Sequence, residues 1–440
     1  MTEKLLQFIW QAGYFNHAAL QTLSGERLQI LNPGSFNQNQ GPDFLEAKIA
    51  IDDTIWAGHV EIHLISSDWI RHAHDKDRNY HNVILHVVWE ADQSVTEKEF
   101  PTLVLQDRIP KLLLDKYEDW MDSRSFIPCQ KNVQQISNAL WHEWTSKLFL
   151  ERLERKSIHL LHELGVNKGH WEELFWWQMA ASFGNKVNAS AFEAIAKTLP
   201  LSLLAKHKNQ ILQLEALLIG QGGLLDKEFQ DDWPRQLKKE YLFLRKKYKL
   251  MPAYQDLHFL RMRPGNFPTI RLSQLANLIS QSSHLFSKIR EEKELKQIKS
   301  LLSVDACNYW NTHYIPDEVS AFCIKSLGSQ VIESIIINTI IPMLFAYGTG
   351  HKEVDCVSKA MEWLNELTAE SNSIINQWRK IGIHPVNAAQ SQALLELKHE
   401  YCDMKKCLNC TVGKTLLKNS VDEGSVINPT GNLFAHQFPD

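Results

Sequence analysis

Gly41-Pro42-Asp43-Phe44-Leu45-Glu46-Ala47-Lys48-Ile49-Ala50-Ile51, then Asp52-Asp53, then Thr54-Ile55-Trp56-Ala57-Gly58-His59-Val60-Glu61-Ile62-His63-Leu64-Ile65 reads as two strands around a tight turn. β-Branched and aromatic residues fill both arms, and two aspartates separate them. We expect strands over Asp43–Ile51 and Ile55–Ser66. Residues two apart on a strand share a face, so Glu61 and His63 point the same way. Counting outward from Asp52-Asp53 sets Asp43 opposite Glu61 to within a residue. Two carboxylates converging at one end of a sheet form an oxygen-rich site for a hard divalent cation, Mg²⁺ or Mn²⁺. Such an ion activates water and offsets charge that develops on a phosphate.

The elements around this hairpin extend the pattern. Leu5, Leu6, Ile9 and Trp10 predict a short amphipathic helix over residues 1–12. Arg27–Asn32 reads as a strand before the hairpin and Val83–Trp89 as one after it. Ser67–Tyr80 between them is polar, with Asp68 placed to cap a short helix. The order is helix, three strands, helix, strand, an α/β module with a mixed sheet over residues 1–128, closed by Pro128. After it the apolar residues fall at helical spacing, which predicts a large all-α region over residues 129–418. Residues 419–440, rich in Asn, Pro and Gly, are expected to form an extended tail. The most apolar run, Val331 to Tyr347, is interrupted by Glu333, Asn338 and Pro342 and is expected to be a buried core helix ending at the proline.

Composition sets limits on the whole. A chain of 440 residues, 44% apolar and 22% charged, fits two or three soluble domains and excludes collagen-like and wholly disordered classes. A net charge of −4 excludes a uniformly basic nucleic-acid coat but permits a local basic groove. The charge is divided: −8 over residues 1–128 and +4 over residues 129–440. Six of the nineteen histidines lie between His59 and His86. The start, MTEKLLQFIWQAG, lacks the features of a signal peptide. The expectation is a cytoplasmic protein without a membrane span, whose cysteines are reduced thiols or metal ligands.

The element order, with Pro42-Asp43 opening the second strand and Glu61-Ile62-His63 on the third, resembles the PD-(D/E)XK nuclease superfamily over about residues 1–90. The resemblance implies that Asp43 and Glu61 hold a divalent cation. The superfamily's water-orienting lysine is His63 here, which implies either a histidine in that role or a module that has lost cleavage. The superfamily often adds an acid from the first helix, and Glu3 is the only carboxylate there. Over its full length the chain also resembles an uncharacterised bacterial family marked by GPDF and VEIH, RxRPxNFPTIR, and YCxxxxCxxC. These occur as Gly41–Phe44, Val60–His63, Arg261–Arg271 and Tyr401–Cys410.

Three further stretches carry chemistry. His72, His74 and Asp75 lie in a run similar to those that bind zinc in some hydrolases. On one helix His72 and His74 would face different ways, whereas in a loop all three could converge. His86, alternating within an apolar strand, reads as a satisfied core histidine. Arg235, Lys238, Lys239, Arg245 and Lys246 are interleaved with Tyr241, Phe243 and Tyr248. Together with Arg261, Arg263 and Arg271 they suit phosphate neutralisation with base stacking, or equally an ordinary solvated helix face. Cys402, Cys407 and Cys410 suggest zinc or an iron–sulfur cluster, with Cys129 and His399 as candidate fourth ligands, or else free thiols.

The leading expectation is therefore a metal-dependent nuclease-like phosphodiesterase using Asp43, Glu61 and His63. The alternatives are a non-catalytic nucleic-acid or protein-binding scaffold with a degenerate nuclease fold, and a zinc hydrolase using His72, His74 and Asp75.

Overall fold

The computed structural model describes residues 1–92, 101–253, 255–260, 262–282 and 284–426. The chain divides into two compact units: Met1–Trp144 with the stretch from Glu396 onward, and Thr145–Leu395. The boundary expected at residue 128 thus moves, and the C-terminal stretch joins the first unit rather than the helical one.

The first unit is built on a mixed sheet. Helix α1 (Glu3–Ala12) starts where the Thr2 side chain accepts from the Leu5 N–H, and it ends at Gly13, whose φ of 66° suits a residue without a Cβ. Its apolar stripe of Leu5, Leu6, Ile9 and Trp10 is buried, and it packs against the sheet at β4 (Thr54–Ile65). The other strands are β1 (Leu28–Asn32), β2 (Ser35–Phe36), β3 (Phe44–Ile51), β5 (Val83–Glu90) and β6 (Thr102–Val104). Their order is β1-β3-β4-β5-β6, with β2 also paired to β3. β1, β3 and β4 are antiparallel neighbours, while β4, β5 and β6 run parallel. The crossover from β4 to β5 carries helix α2 (Asp68–Arg71) and two short 3₁₀ turns. The four strands expected from sequence are present. β2 and β6 are too short to show a period, and they add to the expected sheet.

Helix α3 (Lys111–Asp122) follows and packs against the C-terminal helix Thr411–Val426. Lys116 Nζ donates to the Leu416 carbonyl at 3.3 Å. Residues 419–426 are therefore helical rather than extended, because Leu416, Leu417 and Ser420 form a buried face there. The rest of the expected tail lies outside the described residues.

The second unit is largely helical, but a short hairpin, His313–Ile315 with Glu318–Val319, interrupts the expected all-α pattern. Among the described residues one helix, Ser329–His351, is long and apolar enough to cross a membrane, and most of it is buried within the unit. It does not stop at Pro342. A π-helical turn over Ile336–Ile340 precedes the proline, and a widened turn there makes room for a ring that can donate no hydrogen bond.

Candidate metal centre

The hairpin delivers the two carboxylates together through a bulge. From the Asp52-Asp53 turn the pairs run Ile51 with Thr54 to Ala47 with Gly58, and then the register shifts so that Phe44 faces Val60. Glu46, at φ 58°, sits in the shifted segment. One extra residue on β3 brings Asp43 opposite Glu61. The two residues interlock: the Asp43 N–H donates to Glu61 Oε2 at 3.0 Å, and the Ile62 N–H donates to Asp43 Oδ2 at 3.1 Å. Helix α1 supplies a third contact. Gln7 Nε2 donates to Asp43 Oδ1 at 2.9 Å and to Glu3 Oε1 at 3.4 Å. Gln7 was not singled out from the sequence, although it sits one helical turn from Glu3 on the same face.

The other oxygen of Glu61 faces histidines. Its Oε1 lies 3.5 Å from His63 Nε2 and 3.3 Å from His74 Nε2. The parallel pairing of β4 with β5 sets His86 beside Glu61, and His63 Nδ1 meets His86 Nε2 at 2.9 Å. His86 is a core histidine, as read from the sequence, but its partner is a site residue. The crossover decides the rest. Helix α2 ends at His72, Ala73 turns left-handed at φ 58°, and His74 starts a 3₁₀ turn. That reversal sends His74 back towards His72, which an unbroken helix would prevent. His72 Nδ1 lies 3.2 Å from His63 Nε2. One ring nitrogen from each of His63, His72 and His74 falls within 4.8 Å of the other two. Tyr80 stacks on His74 with ring centroids 3.8 Å apart, and Trp69 meets the His63, His74 and His86 rings at their edges or at a tilt.

Burial fixes the protonation of these groups. Desolvation raises the carboxyl of Glu61, and the neighbouring Asp43 charge raises it further. Desolvation likewise raises Asp43, partly countered by the Gln7 hydrogen bond. His63 is pushed down to about 2 by burial and by the imidazoles of His86, His74 and His72. Burial, with His74 beside it, pushes His86 down to about 3. At neutral pH both rings are uncharged, while burial makes both carboxyls harder to ionise than a free acid, Glu61 more so than Asp43.

The remaining candidates are distributed differently. Asp75 is exposed and stays outside the histidine group, acting on His74 only through its charge. Cys129, Cys402, Cys407 and Cys410 all belong to the first unit, near enough for their charges to influence one another, but no three of their sulfurs lie within 4.8 Å of one another. His399 pairs instead with Asp403 at 3.5 Å. In the second unit, helix Asp232–Tyr248 carries Lys239, Arg245 and Lys246 exposed. Arg235 pairs with Asp232 at 2.6 Å, and Lys238 with Glu228 at 2.6 Å. Arg263 is exposed, and Arg261 lies outside the described residues. Arg271 is turned inward: it is buried and bonded to Gln274 and Asn266, so it locks the turn instead of presenting charge to a ligand. It is the fourth residue of helix Pro268–Gln281, which is buried at every position from Pro268 to Ala276.

Residues 3–373 match the model of a family described as "Protein of unknown function (DUF2851)". The chain matches no curated protein and no solved structure.

Proposed function

Because the chain belongs to the DUF2851 family, whose description states no activity, we propose its function from the site itself: a metal-dependent phosphodiesterase of the PD-(D/E)XK type acting on nucleic acid. The observation that carries this reading is the interlock of Asp43 with Glu61 at the end of the hairpin, with Gln7 tying both Asp43 and Glu3 to it from helix α1. The donor set fits a divalent cation, since burial and neighbouring acidic charge raise the two carboxyls and a bound cation would offset both. A cation held there would supply the charge that a phosphodiester gains on the way to cleavage. Asp43 and Glu61 would hold the cation, Gln7 fixes the Asp43 carboxylate, and His63 offers a neutral nitrogen where the superfamily has a lysine. In the second unit Lys239, Arg245, Lys246 and Arg263 are free to meet phosphates, and Phe243, 59% exposed, offers a stacking face.

The four cysteines support a separate structural metal, zinc or an iron–sulfur cluster. Several thiols from distant parts of the chain in one buried region are the setting in which a metal would take the protons' place.

The test is cleavage of single- and double-stranded DNA and RNA by the full-length chain with Mg²⁺, Mn²⁺ or Zn²⁺. We expect cation-dependent cleavage, lost by about 100-fold or more in Asp43→Asn and Glu61→Gln, as is typical when a charge-stabilising group is removed. Cleavage that survives Asp43→Asn removes Asp43 from the mechanism. Absence of cleavage with every ion favours the non-catalytic scaffold.

A further inference from the structure

We infer that His63, His72 and His74, with Glu61 Oε1 beside His63 and His74, form a binding site for zinc or another late first-row divalent ion, with His86 as its supporting residue. This rests on the reading above and names the ion: in place of Mg²⁺ on two carboxylates, His63 becomes a ligand and Asp43 holds Glu61 in place through its N–H.

The spacing supports it first. A tetrahedral ion with bonds of about 2.0–2.1 Å to nitrogen or oxygen holds its ligands about 3.3–3.4 Å apart. The separations here are 3.2 Å from His72 Nδ1 to His63 Nε2, 3.3 Å from His74 Nε2 to Glu61 Oε1 and 3.5 Å from His63 Nε2 to Glu61 Oε1. These contacts share His63 Nε2 and Glu61 Oε1, and one ring nitrogen from each of His63, His72 and His74 lies within 4.8 Å of the other two, a group that does not include Glu61.

Hydrogen-bond accounting supports it second. His74 Nε2 is buried and has no hydrogen-bond partner despite its approach to Glu61. A buried polar atom left so costs stability unless something else satisfies it. The His63–His86 contact points the same way. With the Nδ1–H of His63 donated to His86 Nε2, its Nε2 lone pair is left facing His72 and Glu61. A ligating histidine commonly anchors its second nitrogen in this manner, which fixes both tautomer and ring direction.

The donor types then select the ion. Three imidazole nitrogens, with a carboxylate oxygen beside two of them, suit zinc, iron or nickel, whereas Mg²⁺ takes oxygen and keeps its waters. Glu61 contributes Oε1 alone, because Oε2 is already held by the Asp43 N–H. Asp75, part of the histidine run in sequence, is not a ligand. His72 is exposed, so the ion would be reachable from solvent.

The experiment uses Co²⁺ as the probe, added to the full-length chain after chelator treatment. Expected are visible bands of a tetrahedral nitrogen–oxygen site, free of thiolate charge-transfer, erased by Zn²⁺ and unchanged by Mg²⁺. His72→Ala and His74→Ala should each weaken this uptake by at least the about 10–100-fold that loss of a mere supporting partner costs, and Asp75→Ala should not. Because His72 is exposed, its variant keeps the wild-type circular dichroism and melting point, which separates ligand loss from misfolding. Uptake by the His72 and His74 variants equal to wild type overturns the inference, as does a wild type whose only cobalt bands are thiolate ones. Cobalt uptake without cleavage of any nucleic acid sinks the phosphodiesterase reading and leaves this site standing. Cleavage undiminished in variants that no longer take up cobalt leaves the site standing as a binding site but removes its ion from the reaction.

Discussion

His63 Nδ1 lies 2.9 Å from His86 Nε2, and both rings are buried. This contact joins neighbouring parallel strands and aims the other face of His63 at Glu61 and His72. Replacing His86 by Leu keeps the volume roughly but leaves His63 Nδ1 unpaired. We expect a loss of about 1–3 kcal/mol of stability for the stranded donor and a metal affinity lowered by about 10–100-fold. Urea unfolding and zinc competition with a chromophoric chelator measure the two. A metal affinity equal to wild type would show that His63 is aimed by packing alone.

Glu61 gives the chelated protein a pH dependence of definite sign. Its folded pKa is raised above the ordinary carboxylate value by burial and by Asp43. A raised carboxyl contributes stability that is fully present below the unfolded value near 4.5 and is lost as pH rises through the folded value. Glu61→Gln has no proton to lose. In chelator, the variant should gain on wild type as pH increases above about 4.5, by up to about 1.4 kcal/mol per pH unit while Glu61 remains protonated only in the fold. The buried histidines act in the opposite direction: with folded values near 2 and 3 they cost stability as pH falls below the unfolded value of 6.5. That loss is common to both proteins, so melting points compared from pH 4 to 8 isolate the Glu61 contribution. A constant difference would contradict it.

Ala73 holds the left-handed conformation that brings His74 to His72. A residue with a Cβ is strained there by about 1–2 kcal/mol, and a β-branched one by more. Ala73→Gly is expected to leave metal affinity unchanged and stability within about 1 kcal/mol of wild type. Ala73→Val should weaken metal binding while the first unit keeps its strand content. Equal affinity in the valine variant would mean that the chain reverses without this residue's help.

The thiol group makes a prediction independent of the histidines. Purified full-length protein should carry zinc or iron that Cys129→Ser reduces, and chelation should lower the melting point of wild type more than that of the variant. Elemental analysis beside thermal melts checks both. Metal content indifferent to Cys129 would return the fourth-ligand role to another residue.

The carboxylate half of the site was legible in the sequence because it depends on local rules. Strand period and a two-aspartate turn are enough to set Asp43 opposite Glu61 and to place His63 on the face of Glu61. Even the one-residue tolerance in that count has a cause, the bulge containing Glu46. Glu3 was visible as the acid of the first helix, but Gln7, which links it to Asp43, was not, since a glutamine on a wet-looking helix face has no distinctive signal.

The sequence by itself determined the strands, the turn between them and the kinds of donor present, because these follow from side-chain period and residue chemistry within a few positions. Only the tertiary structure decided which donors meet. His86 reaches His63 through parallel strand pairing, His74 reaches Glu61 through a single left-handed residue, and Cys129 reaches the C-terminal cysteines across most of the chain. Arg271, indistinguishable in sequence from a phosphate-binding arginine, is buried by the helix on which it falls. Contacts of this kind depend on packing between distant segments, where local propensity gives no guidance and burial sets the energy.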